Sequence, residues 1–154
     1  SSWTTDRQSA ATLGIAPTGN GYRAVPFERY KSFGVGIGTD FSNFVMESGD
    51  TPLGELRSGI DYGIEIHQIN GILLGDLIGG DFSGSLEAAF LIRDGERVGR
   101  VKNAMIGGNF FRLFNEQLAG LSADREWSGT FGGCSGAFLL PYVLAGDVDI
   151  SGTD

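Results

Sequence analysis

The sequence predicts an α+β domain built mainly from antiparallel β-strands, with two or three short helices. Three observations predict it: glycine is abundant, apolar and polar residues alternate in several short segments, and turn dipeptides separate those segments. Because glycine is unfavourable inside helices, 26 glycines among 154 residues favour short strands joined by tight turns. Hydrophobic residues make up 41% of the chain and no linker composition divides it, so we expect a single domain over residues 1–154.

The first third of the chain is expected to contain one helix and two strands. Residues 5–13 have helical character, and Gly14 provides a C-terminal stop. In residues 33–38 apolar side chains alternate with glycine, which is typical of a thin strand packed closely on another backbone. Residues 42–47 form the second strand candidate, which ends at a turn over residues 48–50.

A second helix is expected to begin at Thr51, which serves as its N-cap. Pro52 suits the first helical position, and apolar residues follow at helical spacing: Leu53, Leu56 and Ile60. Residues 62–67 then alternate between apolar and polar, as in a strand with one buried face. Residues 72–78 are mostly apolar and predict a further strand that ends at a pair of glycines.

The second half of the chain combines a hairpin, a helix and two closing strands. Residues 86–98 are predicted to form a β-hairpin, since alternating apolar residues precede the turn dipeptide Asp94-Gly95. Between Asn109 and Gly120 the apolar residues recur at helical spacing and predict the third helix. Residues 138–144 and 147–150 are expected to close the domain as strands.

The net charge limits the classes of partner that we expect. Eleven basic residues against 19 acidic ones give a net charge of −8, which would repel a phosphate backbone, so we expect no nucleic-acid partner. No basic and then apolar leader is present, and no apolar run is long enough to span a bilayer. We therefore expect no membrane partner and a cytoplasmic location.

Common catalytic motifs are absent from the sequence. Neither Lys31 nor Lys102 follows a glycine, which excludes a Walker phosphate loop, and the glycines of residues 34–38 lack the spacing of a dinucleotide fingerprint. His67 is the only histidine, and no Gly-x-Ser-x-Gly elbow is present to form a serine hydrolase. A thiolate pair of Cys134 and His67 remains as an outside hypothesis.

Metal-binding residues are also scarce. One cysteine and one histidine cannot form an ordinary zinc site by themselves, since such a site needs three or four ligands. Asp147 and Asp149 begin a segment that is similar to a calcium loop, but the glutamate that such a loop requires does not follow. These two residues are expected to be solvated acids on one face of a strand.

Several motifs resemble, in the same order, those of one known family. They are similar to motifs in the C-terminal half of TldD/PmbA proteins, once called modulators of DNA gyrase: Gly80-Asp81-Phe82-Ser83, the hairpin 90–96, Ile106-Gly107-Gly108-Asn109, and the segments 18–21 and 43–56. The ending, from Cys134 to Gly152, resembles the PmbA type (TldE) more closely. The resemblance covers nearly the whole chain.

The resemblance implies that the chain is the C-terminal half of a zinc metallopeptidase subunit, with the N-terminal half absent from this chain. In the family, an upstream His-Glu-x-x-x-His helix supplies two zinc ligands and a cysteine of the C-terminal half completes the site. Cys134 is therefore the candidate metal ligand here, whereas no catalytic or cofactor-binding residue is assigned. Ser135-Gly136-Ala137 follows it where catalytic TldD subunits have Gly-Lys-x-Gly-Gln, so a buried structural thiol is the alternative.

The resemblance also implies the partners. Zinc would be bound in the full-length complex and not by this chain alone, which we expect to be inactive by itself and to shape the cavity and the dimer. The expected partners are a peptide or unfolded-protein substrate and a second subunit, in a homodimer or in a heterodimer with a TldD-type subunit. A non-enzymatic assembly module is the alternative function.

Overall fold

The computed structural model describes residues 7–17, 34, 43–72, 75–76, 78–128 and 137–152. The helices of this part are α1 (Arg7–Leu13), α2 (Leu53–Ser58) and α3 (Phe110–Arg112), and α3 continues as a π-helical turn over Leu113–Gln117. The strands are β1 (Asn43–Val45), β2 (Tyr62–Asn70), β3 (Asp81–Arg93), β4 (Glu96–Arg100), β5 (Ala104–Asn109), β6 (Leu118–Ser128), β7 (Ala137–Ala145) and β8 (Asp149–Gly152). The predicted α+β class with mainly antiparallel strands is confirmed.

The chain divides into two compact units. One contains Ser1–Glu47 and Glu126–Leu140, and the other contains Ser48–Arg125 and Pro141–Asp154. In the first unit, α1 ends before Gly14, whose φ of +66° is easily adopted by glycine, as the sequence predicts. Also in this unit, β1 pairs in parallel with the first residues of β7. Of the strand predicted over residues 33–38, only Gly34 lies within the described residues.

The second unit is organised around a five-stranded antiparallel sheet. Its strand order is β2-β3-β5-β8, and β4 also pairs with β3. The β3–β4 connection confirms the predicted hairpin, because Asp94 and Gly95 have φ values of 49° and 80°, as a tight turn of this type requires. One sheet face supplies the hydrophobic core, which consists of Phe82, Leu86, Ala89, Ala104 and Ile106.

The predicted start of α2 is wrong in its detail. The N-cap is Pro52, without a side-chain cap, and Thr51 instead forms a bridge with Ser122. The backbone N–H of Leu53 donates to the carboxylate of Asp124 at 2.7 Å, so a residue distant in the sequence replaces the local cap. The helix itself is present and ends at Ser58.

The strand predicted over residues 72–78 is absent from the described part of that segment. Ile78 is 93% exposed. The backbone N–H of Ile78 donates a hydrogen bond to the carboxylate of Asp76 at 3.1 Å. This side-chain contact stabilises a turn where the apolar run indicated a strand. Gly80, with a φ of +83°, then leads into β3.

The third helix is shorter than predicted, and the strand that follows it was not expected. The π-helical turn ends at Gln117, and β6 begins at Leu118, so the interval from Asn109 to Gly120 is not one helix. Phe111 is 59% exposed, which shows that the apolar spacing in this segment does not describe a buried face. Asp147 lies before β8 with a φ of 53°, and the strand expected to begin there starts at Asp149. No described helix combines the length and apolar character needed to cross a bilayer.

Candidate functional site

The predicted site residues lie in different places. Cys134 lies outside the described residues, so its role as a metal ligand and its pairing with His67 both stay predictions. His67 lies on β2 and contacts charged residues, whereas Asp147 and Asp149 line a cleft at one end of the sheet. Both regions belong to the second compact unit.

The Glu65 cluster consists of Arg57, Glu65, His67 and Arg97. Arg57 Nε donates to Glu65 Oε2 at 2.8 Å, and Arg97 Nε donates to the same oxygen at 2.9 Å. Arg97 Nη2 also donates to Glu65 Oε1, which lies 3.0 Å from His67 Nε2. The cluster therefore connects α2, β2 and β4 through a single carboxylate.

The charge of Glu65 is strongly stabilised. Hydrogen bonds from Arg97, followed by those from Arg57 and His67, lower its pKa from 4.5 to about 2, although burial opposes the shift. The hydrogen bond between Arg97 and Glu65 also raises the pKa of Arg97. Only 10% of the Glu65 side chain is exposed, so the carboxylate is largely enclosed by its own partners.

Aromatic rings complete the surroundings of the cluster. The guanidinium of Arg97 lies 4.9 Å from the ring centroid of Phe90, and His67 meets the rings of Phe90 and Tyr142 edge-on at 5.9 and 6.0 Å. Since Nε2 of His67 lies 3.0 Å from Glu65 and 3.1 Å from Arg97, this nitrogen is already engaged within the cluster. The arrangement is typical of a structural ion-pair network that fixes α2 and β4 on the sheet.

The β8 cleft is the second candidate. Its walls come from the starts of β3 and β8, the end of β5 and the helical segment after it, and they enclose about 280 Å³. The cleft forms because β8 pairs with β5 only as far as Gly107, whereas β5 continues along β3 to Asn109. The lining residues are Asp81, Phe82, Gly107, Gly108, Asn109, Arg112, Leu113, Gln117, Asp147, Val148 and Asp149.

Asn109 holds one wall of the β8 cleft in place. Its side-chain oxygen accepts hydrogen bonds from the backbone N–H groups of Phe111 and Arg112, at 2.9 and 3.2 Å, and so caps α3. Its amide nitrogen donates to the carbonyl of Gly79 and to the carboxylate of Asp81, both at 2.7 Å. One side chain therefore joins the helix, the preceding turn and β3.

The opposite rim of the β8 cleft is held by Gln117. Its side-chain amide donates to the backbone carbonyl of Asp147 at 2.5 Å. The backbone carbonyl of Gln117 accepts a hydrogen bond from the N–H of Gly146 at 2.9 Å. The carboxylates of Asp81, Asp147 and Asp149 face one cation, Arg112, among the lining residues. The cleft is consequently acidic, with apolar walls.

Zinc does not fit the described part of the chain. Within it, no group of three or more histidine, cysteine, aspartate or glutamate side chains is placed to hold a metal ion. The Glu65 carboxylate faces two guanidinium groups, which would repel a cation. A metal centre therefore needs ligands beyond these residues.

Sequence reasoning missed the Glu65 cluster. The polar face of β2 was visible as an alternation of Glu65 and His67 with apolar neighbours, but the two arginines came from a helix and from the return strand of the hairpin. The signal was the hairpin turn itself, since it pairs Arg97 with Ile92 of β3, whose other edge pairs with β2. The β8 cleft had no comparable signal, because its walls come from distant segments.

Comparison with known proteins gives concordant matches. The profile of the PmbA/TldA metallopeptidase C-terminal domain matches residues 1–152. A metalloprotease TldD homolog of Buchnera aphidicola is 30% identical over 108 residues, which cover 68% of this chain and 20% of that protein. A metalloprotease of Synechocystis sp. is 29% identical over 133 residues, covering 83% of this chain and 25% of its own length.

A solved structure agrees with these sequence matches. The crystal structure of TldE from Thermococcus kodakarensis superposes with a TM-score of 0.77 and 25% identity, covering 97% of this chain and 31% of that one. The chain thus spans between a fifth and a third of the proteins that it matches.

Proposed function

The chain belongs to the PmbA/TldD metallopeptidase family as its C-terminal domain, and from this premise we propose that it serves a zinc metallopeptidase that cleaves peptides or unfolded proteins. The observation that carries the proposal is the family match over residues 1–152. Two relatives named as metalloproteases support it.

Within that peptidase, we propose that this domain shapes the cavity and the dimer and leaves the catalytic metal site to other residues. The lack of a metal-holding group among the described residues supports this division, as does the enclosure of Glu65 by its own partners. Cys134 is the one position of this chain that we propose as a contributor to the metal site. Because the relatives are much longer, the remaining ligands are proposed to come from a segment outside this chain.

We further propose that the domain works in a dimer, either with a second copy or with a TldD-type subunit. The similarity to a TldE structure over 97% of the chain supports the second arrangement. The relative named as a TldD homolog supports the first, since such a subunit would carry its own active site. A cytoplasmic location stays a prediction.

The test is a peptidase assay on the longer protein that contains this chain, alone and with a TldD-type subunit. Hydrolysis of unfolded casein is expected in the assembled form, with loss of activity on chelation and recovery on adding zinc. The isolated chain, run in parallel, is expected to be inactive. Metal-dependent hydrolysis by the isolated chain would contradict the proposed division of roles.

A Cys134→Ser variant of the longer protein separates the two proposals for this thiol. If Cys134 is a ligand, the variant loses zinc while its melting temperature in the metal-free state stays unchanged. If the thiol is structural, the variant keeps zinc and the metal-free protein melts earlier. Cys134→Ala, which also lacks a thiolate, serves as the matched variant and is expected to behave in the same way.

A non-enzymatic assembly module is the second candidate. It is favoured by the absence of a metal-holding group from the described residues. It predicts that the longer protein still forms its complex but hydrolyses nothing in any combination of subunits. The same assay therefore decides between the two functions.

A further inference from the structure

We propose that the β8 cleft binds the side chain of a lysine or arginine from an extended peptide. This inference rests on the proposed function only for the choice of a peptide as the ligand. The shape and the charge of the cleft carry the rest.

The shape fits a long aliphatic stem. Apolar side chains line the cleft: Leu113 and Val148 are half-buried, and Phe82 belongs to the core. Gly107 has no side chain to fill the cleft. The space next to its Cα is open, since a Cβ atom there would have only the carbonyl oxygen of Phe82 nearby, at 3.9 Å. A volume of about 280 Å³ is at the small end of the range of roughly 300–1,000 Å³ for ligand pockets and has room for one long side chain.

The charge selects a cation. Asp81 is committed to Asn109, but no described residue donates a hydrogen bond or an ion pair to the carboxylates of Asp147 and Asp149. Among the described residues that line the cleft one is basic, Arg112, and its Nε lies 3.6 Å from the carboxylate of Glu116 in an ion pair. The carboxylates of Asp147 and Asp149 would attract the cationic end of a lysine or arginine side chain, and the apolar residues of the cleft would contact its hydrocarbon stem.

The rest of the molecule reinforces this selection. The chain has a net charge of −8, so acidic ligands are repelled at long range and basic ones attracted. The rim is also fixed before binding, because Gln117 holds the backbone at Asp147 through its carbonyl. A preorganised rim lowers the entropic cost of binding.

The experiment measures binding by the 154-residue chain as it exists, through the amide shifts of the labelled protein. The probes are three matched peptides, Ac-Ala-Lys-Ala-NH₂ and its Gln and Glu counterparts. The Lys peptide is expected to shift the amides of Gly107, Gly108 and Val148, whereas the other two leave them unchanged. A fourfold increase in salt is expected to weaken binding several-fold, because the rim is exposed.

Two variants test the charge argument in opposite directions. Asp147→Asn with Asp149→Asn is expected to weaken the Lys peptide about fivefold, since each exposed charge contributes modestly. Asparagine tolerates the positive φ of residue 147, so the backbone is preserved. Arg112→Gln is expected to strengthen binding about twofold, by removing the one opposing cation.

The matched control is Glu87→Gln with Glu96→Gln, which removes the same net charge far from the cleft and is expected to leave the affinity within twofold. Equal shifts with the Gln peptide, no binding of the Lys peptide, or an equal loss in the control would overturn the proposal. Because no cleavage is measured, a failure here leaves the peptidase assay unaffected. A failure of that assay likewise leaves this result standing.

Discussion

The Glu65 cluster and the β8 cleft belong to the same compact unit but differ in how their charge is balanced. Glu65 receives hydrogen bonds from two arginines and lies beside His67, and 10% of its side chain is exposed. Asp147 and Asp149 receive none from the described residues. A carboxylate that the fold neutralises stabilises the fold, whereas one left unbalanced at a cleft is available to a partner.

The largest effect is expected from Glu65→Gln. The change leaves Arg57 and Arg97 without their shared carboxylate, and we expect the free energy of unfolding to fall by about 2–3 kcal/mol. Urea unfolding at neutral pH measures the loss. Glu87→Gln, at an exposed position of β3, is the matched control and is expected to cost less than about 0.5 kcal/mol. Equal losses in both variants would show that the cluster does not stabilise the fold.

The pH dependence of stability gives a second measure of how much the Glu65 carboxylate stabilises the fold. The pKa of Glu65 is about 2 in the folded chain, against 4.5 ordinarily, so its stabilisation is complete above about pH 4.5. It is then lost as the pH falls from 4.5 towards 2, where the folded carboxylate is protonated. Glu65→Gln is expected to lose less stability than the parent chain over this interval. Parallel curves would contradict the low pKa of Glu65.

An intermediate effect is expected from Asn109→Ala, which removes a wall of the β8 cleft. The variant loses the cap of α3 and the hydrogen bonds to Gly79 and Asp81. We expect a loss of about 1–2 kcal/mol in unfolding free energy, the range typical of a helix cap with additional contacts. Asn109→Asp keeps the capping oxygen but loses the two donated bonds and brings a second carboxylate next to Asp81, so it should recover only part of the loss. Full recovery would show that the bonds to Gly79 and Asp81 contribute nothing.

A smaller effect is expected from His67→Ala. The substitution removes one contact to Glu65 and the edge-on contacts to Phe90 and Tyr142, while both arginines remain. We expect a loss of about 0.5–1 kcal/mol, measured by urea unfolding. In a Glu65→Gln background the loss should shrink, because the shared carboxylate is gone. Simple addition of the two losses would show that His67 acts independently of the cluster.

The smallest effect is expected from Asp147→Asn. Its carboxylate receives no hydrogen bond from a described residue, and asparagine suits the φ of 53°, so the unfolding free energy should change by less than about 0.5 kcal/mol. Thermal unfolding in parallel with Glu65→Gln measures the contrast directly. A loss as large as that of Glu65→Gln would show that Asp147 has a structural partner.

Local signals explain what the sequence predicted well. The Asp94-Gly95 turn and the stop at Gly14 depend on backbone angles that few residues adopt, so neighbouring residues suffice to identify them. The start of α3 at Asn109 is equally local, because its side chain caps the next two or three residues. The Asp94-Gly95 turn and the start of α3 belong to the β3–β4 hairpin and to one side of the cleft.

Long-range contacts explain what the sequence could not predict. The start of α2 depends on Asp124, which is 71 residues from Leu53, and Arg97 reaches Glu65 across 32 residues. The apolar run over residues 72–78 predicted a strand, whereas the N–H of Ile78 donates to the carboxylate of Asp76 and the chain turns there. Cluster and cleft are products of strand register, which one sequence does not specify.

The zinc content of the isolated 154-residue chain tests the proposed division of roles most directly. The chain is purified, incubated with excess zinc, passed through a desalting column and measured for bound metal, beside the longer protein with its TldD-type subunit. The proposal predicts well below one zinc ion per isolated chain and stoichiometric zinc in the assembled protein. One tightly bound zinc ion per isolated chain would contradict it, because the domain would then hold a complete metal site of its own.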